Sequence, residues 1–154
     1  MISGMRARRR GAFKAGAAYK FYRLWVTASD GGATRIAEFN LVTVDNPGGV
    51  PSGGTPDANA GLISVDNAFD GSPSSLWTVL KTEQALPHWI SYEFPTPQKV
   101  TMYRIQVRAT ASEATRTAPT AWLFEGSHDG VDWDVLDTQS GLTWTIGEIK
   151  EFPL

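Results

Sequence analysis

Residues 89–109, WISYEFPTPQKVTMYRIQVRA, contain two apolar–polar alternations separated by a turn. In the first, Ile90, Tyr92 and Phe94 alternate with Trp89, Ser91 and Glu93, and Pro87 and Pro95 bound the run. In the second, Tyr103, Ile105 and Val107 share one face, with Arg104, Gln106 and Arg108 on the other. A period of two is that of a half-buried β-strand, whose successive side chains point to opposite faces. Working outward, YKFYRLWVTA (19–28), IAEFNLVTV (36–44), AWLFEGS (121–127), WDVLDT (133–138) and TWTIGEIKEF (143–152) are further aromatic or β-branched runs. Asp30-Gly31-Gly32, Asp129-Gly130 and Ser140-Gly141 supply turn chemistry between runs. Only ISVDNAFD (63–70) looks locally helical, as one short turn, and residues 45–62, with five Gly and three Pro, read as a loop or linker. Many short strands joined by turns predict an all-β antiparallel sandwich or barrel.

Composition narrows the function classes. The 154 residues are 42% apolar and 19% charged, enough for one domain with a core. Cys is absent, which removes disulfides, thiolate metal sites and cysteine nucleophiles together. No apolar run approaches the roughly 20 residues of a membrane span. The net charge of −2 hides an asymmetry: residues 1–29 carry seven basic side chains and no acid, four of them at Arg6, Arg8, Arg9 and Arg10. Residues 1–18 therefore read as a basic arm, suited to an acidic protein surface. It lacks the sustained apolar run of a secretory signal. Nucleic acid is a poor partner, because the remaining chain is acidic and repels phosphate. Nucleophile elbows, phosphate loops, dinucleotide fingerprints and zinc-protease signatures are missing, so no enzyme is expected.

Three separated stretches carry a family likeness. SVDNAFDGSPSSLW (64–77), PHWISYEF (87–94) and APTAWLFEGSHDGVDWDVLDT (118–138) together resemble the discoidin-like domains, also called coagulation-factor C-type domains, which include the family 32 carbohydrate-binding modules. The resemblance implies a galactose-binding-like jelly-roll β-sandwich that binds glycans, lipid head groups or proteins without catalysis. One departure is of order. The family closes on a strand similar to AYKFYRLWVTA (18–28) followed by an I-A-E segment, whereas here both come first. That resembles a circular permutation with residues 45–62 as the joining linker, a pattern similar to bacteriophage structural proteins. It implies a virion or extracellular surface, with glycan or other virion proteins as partners in an oligomeric assembly. The alternative is a purely structural capsid or tail protein, docked through its arm.

The resemblance also implies a structural Ca2+ site. Asp70 and Glu38 would give carboxylates, and Asn67, Ser72 and Ser75 mostly main-chain oxygens. Taken on the residues alone, Asp70 caps the Gly71 turn and Glu38 is an exposed strand residue. Trp77, Trp89, Trp122 and Trp133 match positions where the family buries an aromatic, and Trp25 is expected between the sheets. Loops 78–88 and 109–118 would form the ligand platform, with His88, Arg108 and Arg116 as polar groups and Trp144 as the uncommitted aromatic.

Overall fold

The computed structural model describes residues 16–108 and 117–154. Among the described residues ten strands follow one another: β1 (Tyr19–Ser29), β2 (Thr34–Ile36), β3 (Glu38–Val42), β4 (Thr55–Ala58), β5 (Trp77–Val79), β6 (His88–Gln98), β7 (Met102–Gln106), β8 (Pro119–Ser127), β9 (Asp134–Gln139) and β10 (Ile149–Pro153). A short 3-10 helix, Leu62–Phe69, interrupts them where the sequence predicts a helical turn. All pairings are antiparallel. One sheet runs β4-β6-β1-β8-β9, a second β10-β7-β3, and β2 pairs with β5. The fold is the expected antiparallel β-sandwich, while residues 1–15 of the basic arm lie outside the described residues.

The core is a layer of rings between the two large sheets. From β7 and β10, Tyr103 and Phe152 stack at 4.8 Å; from β8 and β1, Phe124 stacks on Tyr103 at 4.1 Å and on Tyr22 at 5.7 Å. All four are buried. Large aromatics bury much apolar area, and offset or edge-on packing adds roughly a kcal/mol per pair. The predicted inward sets, Ile90/Tyr92/Phe94 and Tyr103/Ile105/Val107, all face this layer.

Three local readings need correction. The stretch 45–62 is not wholly linker, because β4 pairs with β6 within it. Only the second half of 143–152 is strand. In β1, a register shift between Tyr19 and Phe21 lets both Tyr19 and Tyr22 point inward. Such a bulge slips the alternation by one residue. Phe21, Arg23 and Trp25 consequently face outward, so Trp25 does not pack between the sheets.

Candidate functional site

Glu38 opens β3, and Asp70 ends the 3-10 helix, so two sequence-distant elements deliver the two acids to one place. Their carboxyl groups lie within hydrogen-bonding reach of one another. Contrary to the exposed-strand alternative, Glu38 is buried, only 4% exposed. Asn40 Nδ2 donates to its Oε2 at 3.3 Å, while its buried Oε1 has no hydrogen-bond partner. Asp70 sits outside in a turn that it organises: Ser72 N donates to Oδ1 at 2.8 Å and Ser75 Oγ to Oδ2 at 2.5 Å. The Asn67 amide closes the same loop by donating to the Leu76 carbonyl at 3.1 Å.

The two acids titrate in opposite directions. Burial, then the neighbouring Asp70 carboxyl, pushes Glu38 up to about 7. For Asp70, burial acts upward but is outweighed by hydrogen bonds from Ser75, Ser72 and the Glu38 carboxyl, which hold it below the usual carboxylate range. One proton is therefore shared between them near neutrality. Among the described residues no cluster of three His, Cys, Asp or Glu side chains is suited to a metal. Two carboxylates are oxygen donors alone, a chemistry that suits a hard cation rather than zinc.

The expected platform residues are not assembled as expected. His88 is fully buried at the start of β6, with Nδ1 2.8 Å from Thr34 Oγ1 and Nε2 2.8 Å from the Gln84 carbonyl. Both ring nitrogens are thus used in fastening β2 and the 80–87 turn, and none is left for a ligand. Trp144 is buried as well: its indole donates to the Pro119 carbonyl at 2.7 Å, and its ring lies 6.4 Å from Trp122. Lys150 Nζ sits 5.2 Å from that ring. Arg108 follows β7, is half-buried, and accepts the Gly147 amide through its carbonyl at 2.8 Å. Arg116 and residues 109–116 of the second loop lie outside the described residues.

A site missed by the sequence reading lies on the outer face of the five-stranded sheet. A groove of about 320 Å³ is lined by Trp89, Trp133, Arg23, Asp57, Ser91 and Glu93, with Phe21 and Pro56 beside them. Strand register explains its shape. Asp57 on β4 opposes Ser91 on β6, Ser91 opposes Arg23 on β1, and Arg23 opposes Glu125 on β8. Ser91 is the small member of that row. Trp89 and Glu93, two residues to either side on the same face, rise above it. Phe21 and Trp133 meet edge to face at 6.4 Å and close one end.

Electrostatics lock the groove's wall. The Arg23 guanidinium lies 3.9 Å from the Trp133 ring centre and 4.6 Å from that of Trp25. Its Nε and Nη2 each donate to Glu125 Oε2 at 2.7 Å. Lys20 Nζ pairs with Glu93 Oε1 at 2.9 Å. Trp89 and Trp133, expected in the core, are half-exposed here, whereas Trp77 and Trp122 are buried as expected. The missed signal was the alternation itself, which already put Trp89, Ser91 and Glu93 on the face opposite Ile90, Tyr92 and Phe94.

A profile of the F5/8 type C domain matches residues 52–152. No curated protein and no solved structure matches the chain.

Proposed function

The chain belongs to the F5/8 type C domain family, a family of carbohydrate- and ligand-binding modules, and from that premise we propose that it is a non-catalytic recognition module that grips glycans in the outer-face groove. The observation that carries this is the half-exposed pair Trp89 and Trp133 beside Ser91, Asp57 and Glu93. Sugar rings present an apolar face that stacks on an aromatic, while their hydroxyls need acceptors and donors at the rim. The groove's volume is at the small end for ligand sites and suits one or two sugar units. Trp89→Ala should weaken glycan binding by about tenfold or more in calorimetric titration without loss of fold, since Trp89 is half-exposed. Binding to no glycan on an array, or equal affinity in the variant, would reject this function. The profile match begins after β1–β3, which supports the permuted order inferred from the sequence.

A second element of the proposal is a structural Ca2+, favoured by the orphaned buried oxygen of Glu38. Glu38 and Asp70 would hold the ion with main-chain oxygens of the 67–75 turn, and it would replace their shared proton. Its role is to tie β3 to that turn. Calcium at about a hundred times its dissociation constant should add about 2.7 kcal/mol, or roughly 5–10 °C in melting temperature for a chain of this size. Glu38→Gln should abolish that gain.

The pH dependence without calcium has a definite sign. Glu38's ordinary value is 4.5, and its folded value is about 7. A raised acid favours the folded state while protonated, so this stabilisation is complete below about 4.5 and is lost as pH rises through 7. Calcium-free melting temperature should therefore fall from pH 5 to pH 8, and added calcium should flatten the profile. A flat calcium-free profile would show that the two acids do not share a proton.

A further inference from the structure

The groove's charges do not cancel. Arg23 is matched by Glu125 and Lys20 by Glu93, at 2.7 and 2.9 Å. Asp57, on the opposite wall, is exposed, and its carboxylate receives only the amide of Ala58, at 2.8 Å. Among the described residues no cation pairs with it. The lining residues thus carry one uncompensated negative charge across the Ser91 floor from Arg23.

The aromatic walls point the same way. Indole faces attract cations through the ring quadrupole. Trp25 and Trp133 already demonstrate this by flanking the Arg23 guanidinium. Asp57 on β4 lies across Ser91 from Arg23, and Trp89 stands two residues along β6 from Ser91, so the two flank one corner of that floor. A ligand unit there meets an aromatic face and a free carboxylate together, and Ser91 Oγ beneath.

We propose that the groove selects a saccharide unit carrying a protonated amine, an amino sugar with its nitrogen unacylated. The assignment rests on the groove being a glycan site and specifies which glycan chemistry it takes. The ring stacks on Trp89, and the ammonium group donates to Asp57. An acetamide at the same carbon cancels the charge and adds bulk over the small Ser91 floor. A hydroxyl keeps the size but loses the attraction to both carboxylate and indole.

Three β-1,4-linked glucose-type tetramers differing only at C2 separate these cases: the free amine, the N-acetyl and the hydroxyl forms. In calorimetric titration at low salt, the amine tetramer should bind about tenfold tighter than the hydroxyl tetramer, from a screened ion pair plus a cation–aromatic contact. The N-acetyl tetramer should bind no better than the hydroxyl one. Asp57→Asn, at an exposed site that tolerates substitution, should reduce the amine preference to about twofold, and 0.5 M salt should act similarly. Equal binding of amine and hydroxyl tetramers, both dependent on Trp89, overturns the amine preference but leaves glycan recognition standing. An unchanged preference in Asp57→Asn also overturns it. No binding of any tetramer removes the glycan function and the preference together. Tetralysine bound as tightly as the amine tetramer would assign the groove to a cationic peptide instead.

Discussion

Glu125→Ala should cost about 3–5 kcal/mol of folding stability, a loss of roughly 10 °C or more in melting temperature. Glu125 is fully buried on β8, and its Oε2 accepts both Nε and Nη2 of Arg23. The two residues are direct cross-strand neighbours on β8 and β1, so the pair spans the centre of the sheet. Removing the carboxylate leaves a guanidinium whose side chain is only 12% exposed without its Glu125 counter-charge. Desolvation of the guanidinium, rather than loss of the bond, sets the size of the effect. Replacing both partners by apolar residues of similar volume, Arg23→Met with Glu125→Leu, should recover most of the stability. Glycan affinity should not recover, since Arg23 also orders Trp133 from 3.9 Å. Urea unfolding of the two single variants and the double variant measures this. A loss below 1 kcal/mol for Glu125→Ala would mean that water reaches the pair in solution.

Trp122→Ala should be of similar size, about 3–5 kcal/mol. Trp122 is 1% exposed, and its indole donates to Tyr103 Oη at 2.8 Å. Its ring meets Phe152 edge-on at 5.2 Å and Trp144 at 6.4 Å. The substitution leaves a cavity among rigid rings that cannot collapse into it, and it deprives Tyr103 Oη of a donor. Tyr103 in turn donates to Asp137 on the edge strand β9, at 2.6 Å. The damage should therefore reach β9, seen as faster amide exchange at residues 134–139. Protection unchanged there, at any stability, would show that the Trp122–Tyr103–Asp137 chain does not hold the edge.

Much of the sandwich was legible because alternation is local. Tyr103, Ile105 and Val107 face inward for the same reason that Ile90, Tyr92 and Phe94 do. Strand β4 was not legible: Pro56 and Asp57 are disfavoured in strands, Thr55 alone favours one, and pairing with β6 holds the segment extended. A side chain on Gly54 would collide with the Glu93 carbonyl, so a glycine is what allows that edge to approach β6. The bulge after Tyr19 is likewise a tertiary matter, decided by Tyr22 Oη reaching the Gln98 carbonyl at 2.6 Å.

The Glu38–Asp70 meeting could be reached only through family likeness, since nothing in either segment announces the other. Family likeness misled at Trp89 and Trp133, and placement in or near a loop misled at His88 and Trp144. Tertiary placement decided each case: Trp89 and Trp133 line the outer groove, whereas Thr34 and the Gln84 carbonyl enclose His88, and the Pro119 carbonyl and Trp122 enclose Trp144. The groove emerges only once β4, β6 and β1 are in register, which a single strand cannot reveal.

The placement of β1 also sets a timetable for biosynthesis. Tyr22 pairs with Tyr92 on one side and Gly126 on the other. On a ribosome adding about 5–20 residues per second, the second neighbour emerges on the order of five to twenty seconds after the first strand. Until β6 emerges this aromatic strand has both hydrogen-bonding edges bare, and until β8 emerges it still has one. Nascent chains should then depend on holdase chaperones, and slowing translation should raise aggregation rather than yield.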